Sequence, residues 1–240
     1  MDLLNKIAIV TGASGGLGAA FSEALVKNGV KVYGLARNEK KLYALNNSLG
    51  PKFVPVIMDV SNHQAVEKWV NSTFSETYIP DILINNAGTG SFGKIDEMPT
   101  EEWSNMININ INGMYYITSL MANFMKKTER SSHIVNIGSI LGNVGREESA
   151  AYCATKFAVQ GFSDALFKEL RFFNIKVTCF NPGSIDTHFF ETSGIEAHHH
   201  MLQPKDLADA LVYILKTPDN MLVNTITIRP LNPKKPENLP

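Results

Sequence analysis

Neither sign of charge dominates this chain: 22 lysines and arginines stand against 23 aspartates and glutamates, a formal net charge of -1. A nucleic-acid binder needs a basic footprint, so the balance argues against a nucleic acid partner. Cysteine is nearly absent. Cys153 and Cys179 are too few for a disulfide framework, and the expected setting is reducing and cytoplasmic. No Pro/Gly/Ser-rich linker interrupts the 240 residues, a length that suits one α/β domain of the larger kind. The start, MDLLNKIAIVTG, carries Asp2 and Lys6 and passes directly into an apolar run, so no secretory leader is expected. The uncharged stretch 103–125 holds Asn105, Asn108, Asn110, Asn112 and Asn123, which makes it too polar to span a membrane; it reads as a buried helix. His198, His199 and His200 are adjacent rather than spaced, which does not give the convergent ligand set of a metal site, and no metal is expected.

What is present is a regular alternation. Residues 6–11 (KIAIVT) form a short β-branched run bounded by glycine, the pattern of a strand buried on both faces. TGASGGLG follows at 11–18 and leads into AAFSEALVKNG, a helix pattern closed by Gly29. Gly12, Gly16 and Gly18, with Ser14 and Leu17 between them, would let the backbone approach a ligand, and the helix N-terminus would offer N–H groups to a pyrophosphate. A tight turn is the plainer alternative, but three glycines at this spacing exceed what a turn requires. The strand at 31–36 ends in Arg37 and Asn38. An acidic residue there would accept a ribose 2′-OH, whereas arginine can hold a 2′-phosphate, which favours NADP(H); a solvated arginine opening the next helix is the alternative.

A second unit continues the alternation: helix 38–49, strand 53–58, then Asp59 and Val60. Asp59 can accept from an adenine amino group, or Asp59 or Ser61 can cap the helix beginning near Asn62. The strand at 81–84 runs into Asn85, Asn86, Ala87 and Gly88, small and amide residues suited to close cofactor contact. A long helix is expected over 100–127, with Asn110 inside it. The strand at 175–181 leads to Pro182, Gly183, Ile185 and Thr187. Residues 184–203 lack periodicity and suit a lid over the substrate. Helix 205–216 and strand 222–229 complete a domain over 1–230, and the Pro-rich tail 231–240 should be extended.

The stretch 133–156, HIVNIGSILGNVGREESAAYCATK, organises the rest. On a helix, Tyr152 and Lys156 are i,i+4 neighbours whose side chains share a face. A phenol near pKa 10 is ionised to roughly one part in a thousand at neutral pH, so bringing it near 7 takes about 4 kcal/mol. One cation about 4 Å away, at an effective dielectric of about 20, supplies a term of that size. A tyrosine so tuned can exchange a proton with a carbonyl or alcohol. Ser139, at the preceding strand end, is placed to hydrogen-bond the same oxygen. An amphipathic pair on an ordinary helix is the competing explanation, and YxxxK alone does not exclude it.

Taken together these residues resemble the short-chain dehydrogenase/reductase family over almost the whole chain. TGxxxGxG falls at 11–18, NNAG at 85–88, the strand-end serine at Ser139, YxxxK at 152–156 and PGxxxT at 182–187. The pattern W-x(6)-N-x-x-G runs from Trp103 through Asn110 to Gly113 and picks out Asn110 among its neighbouring asparagines. The resemblance implies a single Rossmann-like, doubly wound, seven-stranded parallel sheet, assembled as a homo-tetramer or homo-dimer. It implies Tyr152 as acid/base, Lys156 lowering its pKa and holding the nicotinamide ribose, Ser139 binding the substrate oxygen and Asn110 placing a water for a proton relay. The substrate would be a small carbonyl or alcohol: a 3-oxo or 3-hydroxy acid, a ketone or a diketone. A catalytically silent NADP-binding regulator of the same fold is the alternative. Two features depart from the common pattern. The ending VNTITIRPL resembles the branch acting on 3-hydroxy acids, sepiapterin and similar carbonyls rather than the glycine-rich ending of 3-oxoacyl-carrier-protein reductases. Gly138 stands where many members have serine and is expected to widen the space beside Ser139.

Overall fold

A computed structural model describes residues 1–187 and 200–231. Seven strands, β1 (Ile7–Thr11), β2 (Lys31–Ala36), β3 (Phe53–Ile57), β4 (Ile82–Asn85), β5 (Ser132–Ile137), β6 (Ile175–Pro182) and β7 (Thr225–Ile228), form one sheet in the order β3-β2-β1-β4-β5-β6-β7. Every pairing is parallel. Parallel strands need long crossovers, which the helices supply: α1 (Gly16–Lys27), α2 (Glu39–Leu49), α3 (His63–Thr73), α4 (Thr100–Ile107), α5 (Met114–Met125), α6 (Ala150–Leu170) and α7 (Pro204–Leu215).

The β-branched runs are apolar throughout because helices cover both faces. Successive side chains alternate between two cores. Val10, Val32, Ile84, Val135 and Phe180 pack with Phe21, Leu25, Leu211 and Ile214 of α1 and α7. Ile9, Leu35, Leu83, Ile134 and Val177 pack on the other face with Val66 and Val70 of α3, Ile117 and Met121 of α5, and Leu170 of α6. Strand order reverses between β1 and β4, so their carboxyl ends diverge and open the crevice where an open α/β sheet binds its ligand.

Three expectations are corrected. The long helix over 100–127 is interrupted by a π-helical turn, Asn108–Gly113, between α4 and α5. A side chain at 113 would come within 2.8 Å of Val60 Cγ2, so glycine lets the turn press against the end of the β3 unit. That helical region is also only half buried: Met106, Ile117, Met121 and Met125 face inward, while Trp103 and Tyr115 are exposed. The cap of α3 is neither Asp59 nor Ser61 but Asn62, whose side chain accepts from Ala65 N. Among the described residues no helix is long and apolar enough to cross a membrane. Most of the expected lid (188–199, with His198 and His199) and of the tail (232–240) lies outside the described residues.

Candidate active site

The glycine turn and the end of β4 are stitched together across the crevice. Thr11 Oγ1 accepts from Asn86 N and Ala87 N, both at 2.9 Å, and Asn86 Nδ2 donates back to Thr11 O at 2.9 Å. Gly12 has φ of 68°, in the left-handed region open to glycine. Gly18 does something other than the expected ligand approach. It does not line the crevice, and a Cβ there would overlap Gly12 O, so its absence lets the first turn of α1 seat on the glycine loop. No side chain caps α1 and no acidic residue occupies its first turn, which leaves its N-terminal N–H groups available to an anion.

Above this turn runs a cleft of about 820 Å³. Its middle is lined by Gly12, Ser14, Gly16, Leu17, Asn86, Ala87 and Gly88, and one end by Arg37, Asn38, Asp59 and Val60. Pro182, Gly183, Ile185 and Thr187 line it beyond β6. Arg37 and Asp59 approach to 3.9 Å as a solvent-exposed pair. Burial works to raise the Asp59 carboxyl, but hydrogen bonds from Ser61 and the charge of Arg37 outweigh it and hold the group below its ordinary range. Asn38 both lines the cleft and caps α2, accepting from Lys41 N at 3.0 Å.

The opposite end brings together Ser139, Tyr152 and Lys156, all buried. Both of the latter lie on α6, as their spacing required. Ser139 hydrogen-bonds the phenol of Tyr152, and Phe92 packs on the same ring at a centroid distance of 5.3 Å. Lys156 Nζ donates to Ile137 O at 2.9 Å and sits 5.6 Å from the Tyr152 ring centroid. Burial drives the Tyr152 pKa well above the ordinary phenol value, with the Ser139 hydrogen bond opposing it. Burial lowers Lys156 to about 8, with Cys179 opposing. The Lys156 ammonium is held on a backbone carbonyl, and the groups that act on the phenol here are its burial, Ser139 and Cys153.

Asn110 does not line the cleft. Its Oδ1 accepts from Thr89 N at 2.8 Å, and its Nδ2 donates to Thr89 O at 2.8 Å and to Thr155 Oγ1 at 3.0 Å. With those bonds made, the side chain ties the loop after β4 to α6. Gly138 is likewise reassigned. A Cβ there would overlap Asn181 Oδ1, the atom that accepts from Ser139 N at 3.1 Å. The missing side chain makes room for the group that fixes Ser139.

Residues 6–197 match the family model described as short chain dehydrogenase. The chain belongs to that family. It is 36% identical over 232 residues to an uncharacterised oxidoreductase of Staphylococcus haemolyticus, covering 96% of this chain and 99% of the relative. A counterpart from Staphylococcus aureus is 37% identical over 233 residues, covering 95% and 99%. Among solved structures, a serine dehydrogenase in complex with NADP+ superposes with a TM-score of 0.85 at 28% identity, covering 92% of this chain and 94% of the other. The 3-ketoacyl-(acyl-carrier-protein) reductase of Brucella melitensis, in complex with NADH, gives 0.86 at 26% identity, covering 95% and 98%.

This short-chain dehydrogenase, an oxidoreductase, also lines its cleft with residues the sequence did not single out: Lys41, Thr89, Phe92, Leu141 and Arg146 among them. Lys41 had a signal, since it falls three residues after Asn38 and so returns to the same end of α2. Phe92 and Arg146 had none beyond lying in loops that follow strands.

Proposed function

We propose that this short-chain dehydrogenase is an NADP(H)-dependent enzyme that moves hydride between nicotinamide C4 and the carbonyl or secondary alcohol of a small substrate. The observation that carries the reading is the convergence of Ser139, Tyr152 and Lys156 at one end of a cleft whose middle is a glycine turn under an uncapped helix N-terminus. That turn fits a dinucleotide: the first-turn N–H groups suit a pyrophosphate, and Arg37 with Lys41 supplies cations for a 2′-phosphate. Bound there, the coenzyme supplies or accepts the hydride.

The chain's own residues handle the rest. Ser139 holds the substrate oxygen beside Tyr152. Tyr152, whose phenol carries its proton at neutral pH, gives it to that oxygen as the carbonyl carbon gains hydride. Lys156 lies beside Gly88 and Ile137 and positions the nicotinamide ribose. Asn110 keeps α6 and the loop after β4 in register. The exposed Trp103, Tyr115 and Phe157 on α4, α5 and α6 suit a homo-dimer or homo-tetramer interface.

The test is loss of NADPH absorbance with a panel of ketones, 3-oxo acids and diketones. Turnover that Tyr152→Phe abolishes while NADPH still binds supports the assignment. NADPH binding without turnover of any carbonyl would instead mark a silent nucleotide-binding protein.

A further inference from the structure

One charged side chain of the cleft has no part in the chemistry above. Arg146 lines the reacting end in company with Phe92, Ile140, Leu141, Ser139 and Tyr152. It sits in the loop 143–149, which is anchored before Arg146 by Asn143 N donating to Ile140 O at 3.2 Å and after it by two further bonds. Glu148 O accepts from Gly93 N at 2.7 Å, and Ser149 O accepts from Cys153 N at 2.8 Å at the start of α6. Glu148 has φ of 56°, a conformation a side-chain-bearing residue keeps where its surroundings hold it. The loop therefore presents Arg146 to the cleft from fixed anchors.

The charges around it point to the ligand. Among the described residues that line the cleft, Asp59 is the one carboxylate, and it is committed to Arg37 at the opposite end. Glu147 and Glu148 neighbour Arg146 in sequence but do not line the cleft. Lys156, the other cation at this end, is buried and bonded to Ile137 O. Arg146 is thus an exposed guanidinium facing an apolar wall, with no ion pair among the described residues. A guanidinium presents a planar fork of donors that matches a carboxylate and discriminates it from a neutral ester or ketone.

We propose that Arg146 binds a carboxylate of the substrate, which makes the substrate an oxo acid, or the matching hydroxy acid, with its reacting oxygen at Ser139 and Tyr152. Phe92, Ile140 and Leu141 cover the carbon chain between. This rests on the hydride-transfer reading of the same cleft, and the experiment keeps the two apart. The ratio of kcat/KM for 3-oxopentanoate to that for its methyl ester is measured in the wild type, Arg146→Lys and Arg146→Met. A ratio taken within one variant cancels any general loss from imperfect folding. The wild type is expected to prefer the acid, Arg146→Met to lower the ratio at least tenfold, and Arg146→Lys to fall between. An unchanged ratio in Arg146→Met overturns the proposal while leaving hydride transfer intact. Absence of NADPH consumption with either probe overturns the hydride-transfer reading instead. In that event calorimetric titration of 3-hydroxypentanoate with NADP+ present decides for Arg146: binding weakened at least tenfold in Arg146→Met supports it, and equal binding overturns it.

Discussion

The proposed coenzyme choice rests on the side chain of Arg37. It stands at the end of β2 with Asp59 3.9 Å away, and the exposure of both makes the pair weak enough for an incoming phosphate to displace it. Charge-assisted hydrogen bonds to one phosphate contribute about 1.5–3 kcal/mol, so Arg37→Ala should weaken NADPH about tenfold to a hundredfold and NADH far less. Fluorescence titration with both coenzymes checks this; equal losses contradict the contact. His133 gives a pH signature. It is fully buried, its Nε2 pairs with Thr178 Oγ1 at 2.8 Å, and Thr178 itself donates to Val223 O, so Nε2 carries the proton. Nδ1 is buried without a partner among the described residues. Burial, aided by the charge of Lys176, lowers its pKa from 6.5 to about 3. Between those values the unfolded chain binds a proton that the fold refuses, so stability present above pH 6.5 drains away as pH falls toward 3. His133→Leu should flatten the fall of Tm between pH 6.5 and 4, and parallel curves for variant and wild type would count against this.

The elements themselves were largely legible. Runs such as KIAIVT and KVYGLA have a β-branched composition and glycine boundaries that leave few alternatives, and β2 (Lys31–Ala36) matches its expected bounds. Tyr152 and Lys156 share α6 and the cleft because a fixed i,i+4 spacing survives folding unchanged. What local pattern could not show was anything set by a contact distant in sequence. The break at Asn108–Gly113 depends on Val60, some fifty residues earlier, and the partner of Gly138 is Asn181 on the neighbouring strand. Spacing likewise reveals a nearby ammonium but not the depth at which Tyr152 and Lys156 lie. Gly113→Val tests the π turn. Its Cβ would meet Val60 Cγ2 at 2.8 Å, and overpacking of that kind costs about 1–3 kcal/mol. At roughly 2–4 °C per kcal/mol for a chain of this size, thermal unfolding should shift down by several degrees. An unchanged Tm would mean the turn does not need the glycine.

At the scale of the molecule, one sheet serves two ends. Its two packed faces hold the strands so that the reversal between β1 and β4 opens a crevice, with the glycine turn and the loops after β2, β3 and β4 lining it. The same crossover that buries α6 carries Tyr152 to the far end, and Thr155, bonded to Asn110 and to Tyr152 O, locks that helix to the loop after β4. The central claim is that this geometry delivers a proton from Tyr152 to an oxygen held by Ser139. General acid catalysis contributes about 10²–10⁴-fold. The direct measurement is NADPH oxidation by Tyr152→Phe beside NADPH binding by the same variant. The account predicts a rate at least a hundredfold down with affinity within threefold of wild type. A rate within threefold of wild type would contradict it.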